Sequence, residues 1–99
     1  MSYLKANKTI EGYETLKLKV AETNFGHSAI DAPGYIKLNK NIKERGLEYP
    51  LILYNETVCY GNKRLLYAKV NNYEFIDGIS ITNAEELERV RVLTCWKRN

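Results

Sequence analysis

Between Thr57 and Lys69 the hydrophobic pattern changes period within two residues. Thr57-Val58-Cys59-Tyr60 reads as a β-strand, Gly61 interrupts it, and Asn62-Lys63-Arg64-Leu65-Leu66-Tyr67-Ala68-Lys69 reads as a helix. A strand that feeds a helix through one glycine leaves few packings, because the helix must fold back onto the sheet that the strand joins. The junction therefore predicts a mixed α/β domain. It also predicts chemistry. A helix start presents unpaired N–H groups and the positive end of the macrodipole, which together favour an anion. Gly61 lets backbone come close, Asn62 is expected to cap the helix, and Lys63 and Arg64 supply cationic donors. The same Gly-x-x-Arg also serves as an ordinary strand-to-helix turn with both cations in solvent.

The rest of the pattern fits one domain over residues 1–99. Residues 1–12 show no periodicity and are expected to be a loose lead-in with at most an edge segment. Tyr13 to Val20 alternates Leu16, Leu18 and Val20 with Lys17 and Lys19, which predicts a half-exposed strand. Ala21 to Gly34 is rich in breakers and reads as a long loop carrying the lone His27. Tyr35 to Arg45 reads as a helix stopped by Gly46, with Tyr35, Leu38 and Ile42 on one stripe and Lys37, Lys40 and Lys43 on the opposite face. That lysine face is either a solubilising surface or a contact for a nucleic-acid backbone. Leu51–Tyr54 reads as a buried strand paired through an Asn55-Glu56 turn with Thr57–Tyr60. After the Gly61 helix, which is expected to bury Leu65, Leu66, Val70 and Tyr73 and to end at Asn71-Asn72, Glu74 to Ile81 reads as a strand. Gly78 there marks a bulge or a close backbone contact. Thr82-Asn83-Ala84-Glu85-Glu86 has capping-box spacing for a last helix.

Composition narrows function only slightly. The formal net charge is +3, too weak to diagnose nucleic-acid binding, and the excess lies in residues 1–46, with eight Lys/Arg against five Asp/Glu. Cys59 and Cys95 stand without a C-x-x-C or a paired histidine, so reduced thiols are expected, with no disulfide and no metal site. No apolar run approaches the ~20 residues that span a bilayer, and the N-terminus lacks a signal-peptide core. A cytoplasmic protein is expected.

The order of helix, Gly46, apolar strand, hairpin, Gly-x-x-Arg helix and strand resembles the ParB/sulfiredoxin-like superfamily. The matching text is Arg45-Gly46-Leu47-Glu48-Tyr49-Pro50-Leu51-Ile52-Leu53, then Tyr60-Gly61-Asn62-Lys63-Arg64-Leu65-Leu66-Tyr67-Ala68-Lys69, then Phe75-Ile76. The likeness runs over residues 35–98 and implies an α+β fold, a small mixed sheet with about three helices. It also implies a phosphate site at the helix N-terminus, formed by Gly61, Asn62, Lys63 and Arg64, which partition proteins of this type use for CTP and other relatives for ATP. Arg98 would stand for the arginine of the family's Glu-Asn-x-x-Arg motif. That motif's carboxylate is missing from Leu93–Asn99, which counts against magnesium-dependent hydrolysis. Where sulfiredoxins place their catalytic cysteine this chain has Asn62, which points away from their chemistry. The 99 residues include neither the helix-turn-helix nor the dimerisation domain of partition proteins, so a complete partition protein is not expected.

Three functions follow as expectations. The first is a small ParB-like module, phage- or plasmid-encoded, that binds nucleotide or nucleic-acid phosphate through Gly61 to Arg64. The second is an NTPase, phosphotransferase or nuclease, for which Glu48, Glu56 and Asp77 are the acids to consider. The third is an interaction module, such as a phage inhibitor of a host protein, that keeps the fold without a ligand.

Overall fold

The computed structural model describes residues 2–26 and 32–94. Its elements are β1 (Tyr3–Leu4), β2 (Leu16–Lys19), a 3-10 turn (Val20–Glu22), α1 (Ala32–Arg45), β3 (Leu51–Tyr54), β4 (Thr57–Tyr60), α2 (Asn62–Val70), β5 (Phe75–Ile81) and α3 (Ala84–Thr94). This is the expected α+β architecture, with three helices and a five-stranded mixed sheet among the described residues.

β5 is the hub of the sheet. It pairs in parallel with β1 and β3 and antiparallel with β2, and β3 passes the sheet on to β4. Phe75 and Ile76 meet both β1 and β2, and Gly78 meets both Leu16 and Leu51. A strand has two edges, so β2 lies along one edge of β5 while β1 and β3 follow each other along the other. The strand is continuous through Gly78, so of the two expected alternatives, a bulge or a close contact at the backbone, the close contact holds. The glycine is needed there for space, because an added Cβ would strike the Leu18 side chain.

Alternation along β3 and β5 sorts side chains into two cores. Leu51, Leu53 and Ile76 join Leu38 and Ile42 of α1 and Leu65 and Ala68 of α2 on one face. Ile52, Ile79 and Ile81 join Val90 of α3 on the other, together with Ile10. The layers are therefore α1 and α2, then sheet, then α3. In β4 the register shifts so that Leu53 faces Val58 while Ile52 faces Tyr60, leaving Cys59 as the inserted residue of a β-bulge. Val58 consequently packs in the first core and Tyr60 against the second.

Several expectations change. Residues 2–12, expected within a loose lead-in, are tied to the rest of the chain. Ser2 O accepts from the N–H groups of Glu74 and Phe75, Asn7 and Lys8 N–H donate to Leu47 and Glu48 O, and Ile10 is buried. β2 is shorter than the alternation suggested, and the chain turns through Val20–Glu22. α1 begins earlier than expected and takes in Ala32, Pro33 and Gly34 from the end of the expected loop; proline is tolerated in a helix's first turn because its missing N–H would be unpaired there. On α2, Val70 is exposed and Tyr67 is buried in its place. The other helix boundaries agree with the sequence: Gly46 N–H returns to Ile42 O at 2.8 Å, and Asn83 Oδ1 accepts from Glu85 N–H at 2.8 Å. His27 and Cys95 lie outside the described residues.

Asp77 fixes β1. Only 3 % exposed, its carboxylate accepts the Tyr3 hydroxyl and the Ala6 N–H, the latter at 2.9 Å. The hydrogen bond to the carboxylate pushes the Tyr3 phenol up to about 12 from 10.0, with burial second. A raised phenol stabilises the fold fully below its unfolded value and loses that contribution as pH rises through the folded one. Tyr3→Phe is expected to cost about 1 kcal/mol, the low range for a bond to a charged acceptor because the ring is partly exposed. In paired urea titrations of the two proteins, that difference should hold up to pH 10 and shrink towards pH 12.

Candidate phosphate site at the start of helix α2

The site begins with Gly61. Its φ of +110° lies in the left-handed region, and a Cβ there would sit 2.7 Å from Leu51 Cδ2. Glycine is required on both counts, and the close approach seats the first turn of α2 on the start of β3. Gly61 is itself the N-cap and no side chain caps the helix. The expected capping role of Asn62 is replaced by another. Asn62 is the first helical residue, only 6 % exposed, and its Oδ1 accepts the Gly26 N–H at 2.7 Å. That bond holds the chain after the 3-10 turn against the sheet, where Val58 N–H donates to Asn24 O at 3.1 Å and covers the β4 edge. Gly26 passes so close to Val58 O that no Cβ fits.

Arg64 lies in the first turn of α2 and is also 6 % exposed. It lines a cleft of about 20 Å³ with Leu38, Asn41 and Ile42 of α1 and with Gly46, Leu47 and Glu48. The two segments that carried the family resemblance thus meet in space. Lys63 is half-buried beside Arg64. The wall formed by Gly46–Glu48 is held by the N-terminal segment: Asn7 Nδ2 donates to Arg45 O at 2.7 Å, and Lys8 Nζ lies 3.1 Å from Glu48 Oε2. Asn7, Lys8 and Asn41 carried no sequence signal, because their contribution is to pair with backbone or chain distant in sequence.

The remaining candidates are scattered. Lys37, Lys40 and Lys43 are exposed on the side of α1 away from Leu38 and Ile42. Of the acids, Glu48 borders the cleft, Glu56 sits in the β3–β4 turn with φ of +69°, and Asp77 is committed to Tyr3 and Ala6. Cys59 is a half-buried free thiol at the bulge. Arg98 lies outside the described residues.

A solved structure of a Pnob8-like ParB-N domain superposes on this architecture with a TM-score of 0.58, covering 78 % of this chain at 15 % identity. The chain has a ParB-N-like fold. It spans 32 % of that protein's chain. No protein-family model matches the sequence, and no curated protein matches it. Among the described residues no helix is long and apolar enough to cross a membrane.

Asn62→Ala should therefore loosen the site from its outer side. The expected cost is about 1–2 kcal/mol for a part-buried N–H left without its partner. Native-state hydrogen exchange should show the Gly26 amide losing protection before the α2 amides do.

Proposed function

We propose that this chain is a small ParB-N-like module that binds nucleotide or nucleic-acid phosphate at the start of α2. One observation carries the reading: Gly46–Glu48 and the buried Arg64, in the first turn of the helix that Gly61 starts, line the same cleft. The first-turn N–H groups of α2, Lys63 and Arg64 are the donors for an anion, and arginine's planar fork suits phosphate. The cleft has room for a water or one phosphate oxygen, so the sugar and base of CTP or ATP would rest on open surface. Glu48 borders the cleft too, its charge offset by Lys8. A single carboxylate suits a magnesium ion carried in by a triphosphate better than a dedicated metal cage. When bound, the triphosphate would bring negative charge to the positive end of α2.

A second reading, a module that keeps the fold without a ligand and docks on a host protein, is favoured by the use of Asn62 within the fold.

Thermal shifts with CTP, ATP, GTP and short DNA, with and without magnesium, separate the two. A nucleotide at a hundred times its Kd stabilises by about 2.7 kcal/mol, a rise of roughly 10 °C or more for a domain of this size. Arg64→Ala removes a buried side chain and is expected to cost about 2 kcal/mol or more of stability on its own. Arg64→Lys keeps the charge and much of the stem, and should remain folded while losing most of the shift. No shift with any nucleotide or DNA would favour the second reading.

A further inference from the structure

The positive charge of this chain gathers on two helices: α2 carries Lys63, Arg64 and Lys69 without an acid, but there Arg64 is buried and both lysines are half-buried. α1 carries Lys37, Lys40, Lys43 and Arg45 against Glu44, a net +3 that equals the formal charge of all 99 residues. Several basic groups elsewhere have acidic partners, as in Lys8–Glu48, Lys19–Glu22 and Arg91–Glu88, while Lys17 lies over the Tyr3 and Phe75 rings and Lys69 donates to Val20 O. The three α1 lysines are exposed and form no ion pair or hydrogen bond among the described residues. Their helix is fixed beneath them by Leu38 and Ile42, so the stripe is rigidly presented.

We infer that the Lys37–Lys40–Lys43 face of α1 is a contact surface for the phosphate backbone of a nucleic acid. Spaced three residues apart, the lysines span about 9 Å along the helix axis at 1.5 Å per residue. Phosphates of one strand recur about every 3.4 Å along a duplex, so three long flexible cations can meet about three of them. Ile36 is the one large apolar side chain exposed on this helix. A protein interface core would need aromatic or arginine anchors, and a membrane-surface helix a broad apolar face; this face has neither. Point charges on mobile stems suit sequence-independent binding.

The inference does not rest on the α2 site, and the two fail separately. The test is fluorescence anisotropy with labelled DNA and RNA duplexes of about 20 base pairs across 50–200 mM salt. Three neutralised phosphates give a log–log slope of about −2.7, a loss of about 40-fold in affinity over that range. Lys37→Gln, Lys40→Gln and Lys43→Gln combined should abolish binding, while the three arginine replacements combined should retain it. The glutamine variant should keep the wild-type melting temperature and any nucleotide-induced shift. The inference is overturned if the glutamine variant binds with the wild-type slope, if neither duplex binds at 50 mM salt, or if phosphatidylserine vesicles bind and the duplexes do not.

Discussion

At Gly61 the backbone leaves β4 in a left-handed conformation and passes against Leu51, a side chain with no exposure. The two cores and the site depend on that contact. It sets where α2 begins, and with it the positions of Asn62 against Gly26 and of Arg64 against the end of α1. The bulge at Cys59, two residues earlier, rotates the strand so that Tyr60 faces the α3 layer before the chain turns back. A bulge followed at once by a positive-φ glycine reverses a strand into a helix within three residues. That short reversal keeps the helix start level with the beginning of β3.

Of the polar side chains buried among the described residues, Thr23 bonds locally to Lys19 O, and three others join chain segments far apart in sequence. Asp77 ties the N-terminal strand to the sheet, Asn62 ties the chain after β2 to α2, and Arg64 borders the cleft shared with α1. Buried polar groups cost desolvation unless they are bonded, so such links are specific: a slipped register leaves them unsatisfied. The N-terminal segment gains its order this way. Its two-residue strand and its bonds to Leu47 and Glu48 also brace one wall of the cleft.

α1 separates two tasks by its faces. Leu38 and Ile42 are buried in the core while the lysines stand in solvent on the far side. Glu85, Glu86 and Glu88 belong to α3, on the opposite side of the sheet. The sheet thus stands between the basic helix and an acid-bearing one, giving the molecule a positive side and a face with mixed charge.

Local pattern in the sequence determined most element types. The Leu51–Tyr54 and Thr57–Tyr60 runs, the stop at Gly46, the Asn83 cap and the Gly61 junction were legible because propensity, period and turn chemistry act over a few residues. Tertiary structure alone decided which residues of α2 are buried, since its inward face carries Asn62 and Arg64, and a hydrophobicity pattern counts such residues as exposed. It also decided the order of residues 2–12, whose bonds go to residues about 40 to 70 positions away. The site divides the same way. Gly61 to Arg64 was readable as a motif, whereas Asn7, Lys8 and Asn41 joined it only when the chain closed, because long-range pairing leaves no periodic trace in the residues that make it.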